Sequence, residues 1–342
     1  VSAAALGFLM PNLVGFLMFT LLPVLFSFWM AFTNWTLKPA VPFEYVGLRN
    51  FVDLAHDEHF RQYLYNTLYM MLGIPFSIAG SLLLALLLNE DLPLGARRTR
   101  AIGALLCVAV GVLTLLVLWG GNPNLALLGA IFWAIAALTV AFNNVTFRTL
   151  FYLPTFTAGV ALMILWKALY NPQTGPVNVG LTALFHLLHL NIEPPQWLAD
   201  VTWAKPALIV MGIWTSIGGT NMLLYLAGLS NVPRELLDAA AVDGAGPWHR
   251  FRHVTWPQLA PTTFFITIMA IIGGLQGGFE QARVMTGGGP AGSTTTLSYY
   301  IYNKAFQDLE LGYAAALSWV LFAIVFIATA LNWKFGKGLD VD

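Results

Sequence analysis

Ser230-Asn-Val-Pro-Arg-Glu-Leu-Leu-Asp-Ala-Ala-Ala-Val-Asp-Gly-Ala-Gly-Pro-Trp-His-Arg-Phe-Arg-His-Val-Thr-Trp-Pro-Gln-Leu-Ala-Pro261 separates two apolar runs, Ala207 to Leu229 and Thr262 to Gln281. Its residue order predicts a short helix, a stop and a second segment. Asn231 suits the N-cap, Pro233 is tolerated in the first turn, Glu235 complements the positive end of the helix dipole, and Gly244 offers a left-handed stop. Ala239, Ala240 and Ala241 give a small-residue surface that another protein can approach closely. Gly246 and Pro247 then start a segment bearing Trp248 and Phe251. Physically, this is a knob for another protein's socket.

The flanking runs decide the fold class. Crossing about 30 Å of hydrocarbon takes about 20 apolar residues in a helix, because an isolated strand would leave its backbone groups unpaired in lipid. The chain offers eight candidates: Ala3 to Phe32, Thr67 to Leu88, Ala101 to Trp119, Leu125 to Phe142, Leu150 to Leu169, Ala207 to Leu229, Thr262 to Gln281 and Gly312 to Trp333. The seventh is the weakest, with Gly273, Gly274, Gly277 and Gly278 around Gln276, a composition suited to close helix approach or a cavity wall. Hydrophobic residues make up 58% and charged residues 9% of the 342, so the chain belongs in a lipid bilayer. The reading is an all-α integral membrane protein with about eight transmembrane helices in a single domain, 1–342.

Net charge is zero, so no global field attracts nucleic acid. Cys107 is the only cysteine, which rules out an internal disulfide framework or thiolate metal site. The chain starts at Val1 rather than Met, which suggests that a short N-terminal piece precedes it, and no cleavable signal is evident, so the first run is expected to stay as an anchor.

Orientation follows from basic residues in short connections. Arg97, Arg98 and Arg100 precede the third run, whereas Gly120 to Asn124 after it carries no charge, so the arginine side is cytoplasmic. Alternate threading then puts Arg234, Arg250, Arg252, Lys334 and Lys337 inside, with both termini cytoplasmic. The outer segment Asn171 to Lys205 holds an amphipathic stretch, Val177 to Leu190, read as an interfacial helix that faces a lid or docking partner or only caps the bundle.

With the loop placed inside, its spacing resembles that of the permease subunits of binding-protein-dependent ABC importers. Their cytoplasmic loop has Glu-Ala-Ala, three residues, Gly, nine residues, then Ile-x-Leu-Pro. Asp238, Ala239, Ala240, Gly244, Val254, Trp256 and Pro257 occupy those places, with Asp238 for Glu, Val254 for Ile and Trp256 for Leu. The likeness narrows to the sugar-permease branch, of the maltose-type large subunit, through Val46-Gly-Leu-Arg-Asn-Phe51, Phe147-Arg-Thr-Leu-Phe-Tyr-Leu-Pro154, Asn171-Pro-Gln-Thr-Gly175 with Asn178, and Met285-Thr-Gly-Gly-Gly-Pro290. The six-span pattern would pass from Asn89 almost directly to Phe147, so residues 95–144 look like an inserted helical hairpin, whose simplest role is a peripheral packing element that widens the bundle.

The resemblance implies a carbohydrate importer subunit in a bacterial or archaeal cell (inner) membrane. It also implies a second permease subunit, two ATP-binding subunits and an extracytoplasmic solute-binding protein. The stretch 230–261 becomes the coupling loop, with Glu235, Asp238, Ala239, Ala240, Asp243, Gly244 and Pro257 meeting the ATPase. This chain is then no enzyme and needs no cofactor: it has no Gly-x4-Gly-Lys-Ser/Thr phosphate loop, and ATP and Mg belong to the partner subunits. Thr286 to Thr294 is glycine-rich but has no following Lys, and is read as a flexible outer loop.

Sugars present hydroxyls and flat C–H faces, so the pathway should offer polar or aromatic groups inside the bundle. Trp214, Thr215, Ser216 and Asn221 interrupt the sixth run, and Gln276 and Glu280 the seventh, with Gln276 the first choice. A purely local reading has Thr215 and Ser216 bonding back to their own helix and Asn221 to a neighbouring one. Glu280 and Arg283 are spaced to form an ion pair. Three histidine pairs, His56 and His59, His186 and His189, and His249 and His253, lack the further ligands a metal site requires. The rivals are an importer of a non-sugar solute such as a glycerophosphodiester, an ion-coupled secondary transporter, for which almost no ionisable residue lies deep in a run, and a membrane scaffold without a transport cycle.

Overall fold

A computed structural model describes residues 2–39, 41–89, 105, 108–112, 148, 151–152, 155 and 159–336. The described segments are helical, with one isolated bridge between Thr33 and Tyr45. In chain order the main helices are α1 (Phe8–Met30), α2 (Arg49–His56), α3 (Glu58–Asn89), α4 (Val160–Leu169), α5 (Pro176–Leu187), α6 (Val201–Ser230), α7 (Arg234–Val242), α8 (Pro247–Gln258), α9 (Ala260–Gln276), α10 (Leu297–Tyr302) and α11 (Leu311–Lys334). By length and composition α1, α3, α6 and α11 are each able to cross a membrane, and α8 with α9, bent by 63°, makes a fifth if counted as one span. The third and fourth predicted runs, and with them the hairpin 95–144, lie outside the described residues apart from Leu105 and Val108 to Val112.

The centre of the bundle is the pairing of α3 with α6. Glycine makes the close approach possible: a Cβ at Gly80 would stand 2.7 Å from Ile217 Cδ1. Toward the end of α6 that leads into α7, Leu82, Ala85 and Leu88 of α3, Met222, Tyr225, Leu226 and Leu229 of α6, and Leu259 and Ile266 form one buried apolar cluster. Tyr225 sits wholly inside it, and its hydroxyl donates to Thr263 Oγ1 at 3.2 Å, so α6 and α9 are joined without an unpaired phenol. Near the opposite end Leu275, Leu297, Leu321 and Val325 bring α9, α10 and α11 together.

Several expected boundaries move. Asn231 closes α6 rather than opening α7; Pro233, in an extended conformation, occupies the N-cap and Arg234 is the first helical residue. Pro233 has no side-chain acceptor, and its carbonyl instead accepts from Leu236 N–H at 3.2 Å. The seventh run stops at Gln276, because Gly277 is extended and Gly278 takes φ +81°, which no β-carbon disfavours. α6 begins at Val201, six residues before the predicted start, with the Asp200 side chain accepting from Thr202 N–H at 2.7 Å. The stretch expected to be helical from Val177 to Leu190 is helical over Pro176–Leu187, and Asn178 ties it to the following loop through the Pro195 carbonyl and the Trp197 indole.

Candidate permeation cavity and exposed elbow

A cavity of about 450 Å³ opens between α3, α6 and α9 and the segment that follows α9. Its walls are mostly apolar and glycine, with six polar side chains, Thr67, Ser77, Ser216, Asn221, Gln281 and Thr296. Ser77 and Ser216 donate to carbonyls of their own helices, Ile74 O and Gly212 O, and Thr67 donates to Tyr63 O, so these hydroxyls keep only acceptor capacity. Asn221 and Gln281 differ. Both are half-buried, and neither amide makes a hydrogen bond among the described residues. Two free carboxamides, each able to donate and accept, facing a glycine-lined space, suit a ligand rich in hydroxyl groups.

One end of the cavity is closed by a tied-down loop. The glycine-rich stretch 286–294, expected to be flexible, is buried at Ser293 and Thr294, as are Thr295 and Thr296 that follow it. Asn66 of α3 donates to Gly292 O at 2.8 Å and Thr295 O at 3.0 Å, and Thr67 Oγ1 accepts from Leu297 N–H at 3.0 Å. Within the loop Thr294 and Thr295 hydroxyls donate to Gly289 O and Gly288 O. Glycine-rich backbone carries many exposed carbonyls; here α3 and the threonines satisfy them, which makes the loop a fixed plug.

Beyond the plug lies a polar cluster. Asp57, the N-cap of α3, accepts the hydroxyls of Tyr300 at 2.6 Å and Tyr313 at 2.9 Å. Partial burial raises its pKa, but these two bonds, the His59 N–H and the nearby His59 ring outweigh it and hold the carboxyl below its usual 3.8. Lys304 bridges Asp308 at 3.0 Å and Glu310 at 3.2 Å, and Glu310 also takes Lys38 at 2.9 Å. Arg283 lies over the Tyr302 ring, 4.7 Å from its centre; the predicted Glu280–Arg283 ion pair does not form, because the ring faces of Phe279 and Tyr302 hold the guanidinium.

At the other end of α6 the chain turns through an elbow. No residue of α7 is buried, and Val242 is 88% and Trp248 65% exposed. α7 ends at Gly244 with φ +78°, and the paired bonds Gly244 N–H to Ala241 O and Ala245 N–H to Ala240 O close its carbonyl end. Glu235 sits in the first turn, as the sequence requires. In α8, Phe251 packs against Trp248 at 5.6 Å and Trp256 at 6.2 Å, so the elbow is stiffened by its own aromatic rings while its outer face has no cover.

Residues 144–338, more than half the chain, match the family described as binding-protein-dependent transport system inner membrane component. This chain belongs to that family of permeases. The permease is 30% identical over 338 residues to the probable ABC transporter permease protein YesP of Bacillus subtilis, covering 97% of this chain and 90% of that protein. It is 33% identical over 293 residues to the lactose transport system permease protein LacF of Rhizobium radiobacter, covering 85% and 80%. Its fold matches, with a TM-score of 0.68 and 23% identity over 98% of this chain and 95% of the other, a bacterial alginate ABC transporter solved in complex with an alginate pentasaccharide-bound periplasmic protein.

Of the pathway residues expected from sequence, Ser216 and Asn221 line the permease's cavity and Trp214, Thr215, Gln276 and Glu280 do not. Trp214 points away and packs on Trp166 at 5.6 Å, and the Thr215 hydroxyl donates to Gly212 O. Gln276 is exposed, at helical spacing from Met269 and Gly273, which do line the cavity; its carbonyl accepts from the Ser298 hydroxyl at 2.6 Å. Gln281 went unread because the seventh run was taken as helical to that residue, whereas the Gly277–Gly278 break turns the chain and brings its amide to the cavity. The elbow residues Glu235, Asp238, Ala239, Asp243 and Gly244 are all exposed, with Ala240 and Pro257 half-buried.

Proposed function

We propose that this permease lines the translocation path of an ATP-driven carbohydrate importer. The observation that carries the reading is the 450 Å³ cavity, whose free polar groups are two neutral carboxamides, Asn221 and Gln281, together with hydroxyl acceptors. Neutral amides recognise hydroxyl groups without the ionisable residues an ion-coupled carrier uses. The lactose-system relative and the alginate-bound neighbour support a saccharide as cargo and an extracytoplasmic solute-binding protein as its carrier.

ATP and Mg are held by two separate ATP-binding subunits, and the exposed elbow meets them through Glu235, Asp238, Ala239, Ala240, Asp243, Gly244 and Pro257 in 230–261. A second permease completes the path, covering the exposed Gln276 at the end of α9 and Glu280 after it, with Trp214 and Thr215 supporting the wall from behind. The elbow and both termini face the cytoplasm. The test is ATP hydrolysis by the reconstituted complex, with its solute-binding protein, across mono-, di- and oligosaccharides. Stimulation by a saccharide is expected; hydrolysis indifferent to the whole panel would remove the carbohydrate reading.

A further inference from the structure

The line of α6 residues that walls the cavity, Leu208, Ile209, Gly212, Ile213 and Ser216, continues one turn toward the start of the helix at Lys205. That position is on the side of the plug, since Thr67 and Thr296 close the cavity there. The register across the α3–α6 contact is fixed: a Cβ on Gly73 would stand 3.2 Å from Ile209 Cγ2, so the turn holding Tyr69 lies alongside the turn holding Lys205. Lys205 Nζ is 4.8 Å from the Tyr65 ring centre and 5.1 Å from that of Tyr69. It makes no ion pair among the described residues; Asp200, the acid five residues before it, is occupied as the α6 cap. The cavity lining itself holds no charged side chain.

We propose that Lys205, Tyr65 and Tyr69 form a subsite at the outer mouth for the anionic group of an acidic saccharide. This rests on the importer reading above and narrows its cargo. The two rings hold the ammonium by cation–π attraction, and of its three N–H donors at least one is left for an anion. Tyr65, 58% exposed, offers a ring face to the sugar's C–H surface beside that anion. A neutral cargo would gain only a hydrogen bond to a hydroxyl from a lysine kept at the mouth without a carboxylate partner, whereas a uronide carboxylate or a sugar phosphate gains a bond between opposite charges. A chain of such residues would be drawn in with its anion at Lys205 and its hydroxyls passing to Gln281 and Asn221.

The test uses the reconstituted complex with its solute-binding protein, presented with a uronide oligosaccharide, a sugar phosphate and a neutral oligosaccharide of equal length. The uronide or the phosphate is expected to stimulate ATP hydrolysis and uptake, and which one does so identifies the anion. Lys205→Met is expected to lower uptake of that cargo at least about tenfold, the size of one charge-assisted hydrogen bond, while Lys205→Arg restores most of it. Stimulation by the neutral sugar alone would overturn the subsite and leave the importer intact, as would full uptake of the acidic sugar by a well-assembled Lys205→Met complex. Indifference to all three sugars would instead strike the importer reading itself.

Discussion

The two ends of the α3–α6–α9 bundle are built on opposite principles. At the plug end, side chains of α3 satisfy the backbone of 286–296, and Asp57, Tyr300, Tyr313, Lys304 and Glu310 join α3, α10 and α11 into one network. At the elbow end, α7 has no buried residue, and the aromatic residues of α8 pack on each other, with Phe251 also against the core cluster. One end completes itself; the other has a formed shape and an uncovered face, which is what a surface evolved for a partner looks like in a single chain.

Breaking the plug should therefore hurt folding, and breaking the elbow should hurt only coupling. The largest expected effect is from Asn66→Leu, which leaves the Gly292 and Thr295 carbonyls without donors at a cost of about 2–4 kcal/mol. Thermal unfolding of the purified complex would register it as a clear drop, and an unchanged midpoint would mean that water replaces the amide. A middle effect, about 1–2 kcal/mol, is expected for Asp57→Asn, which removes the charge that two tyrosyl hydroxyls solvate. The sign in pH follows from the depressed carboxyl: its contribution is present above the unfolded value near 3.8 and disappears as pH falls through the lower folded value. Stability should thus fall below about pH 4 in the parent, less steeply in Asp57→Asn, with melting scans between pH 3 and pH 7 as the measurement. The smallest effect on folding is expected from Gly244→Asp, about 1 kcal/mol for a side chain at positive φ. That variant should insert and assemble its own bundle yet lose ATP-dependent uptake, and normal uptake would remove the elbow from the coupling path.

The elbow was legible because its signals are local. Gly244 stops α7 where the sequence placed the stop, since a left-handed turn depends on one residue's missing β-carbon rather than on packing. The cavity was legible only in part. Ser216 and Asn221 were found as polar breaks in an apolar run, but a polar break does not reveal which face of the helix it occupies. Trp214 and Gln276 were chosen by the same logic and do not line the cavity. The glycine-rich loop misled because composition signals freedom of the backbone, while the partners that remove that freedom, Asn66 and Thr67, are more than 200 residues away in sequence.

The sequence by itself determined that this chain is a bundle of apolar helices, that 230–261 forms an elbow with Gly244 at its turn, and that its spacing is that of an importer permease. Those are properties of hydropathy and of single-residue backbone preference, which need no knowledge of neighbours. Only the tertiary structure decided that Gln281 rather than Gln276 reaches the cavity, that Lys205 lies over two tyrosines, and that the glycine-rich loop is a plug. Each depends on helix rotation and on contacts between residues distant in the chain, and helix rotation is set by which faces pack.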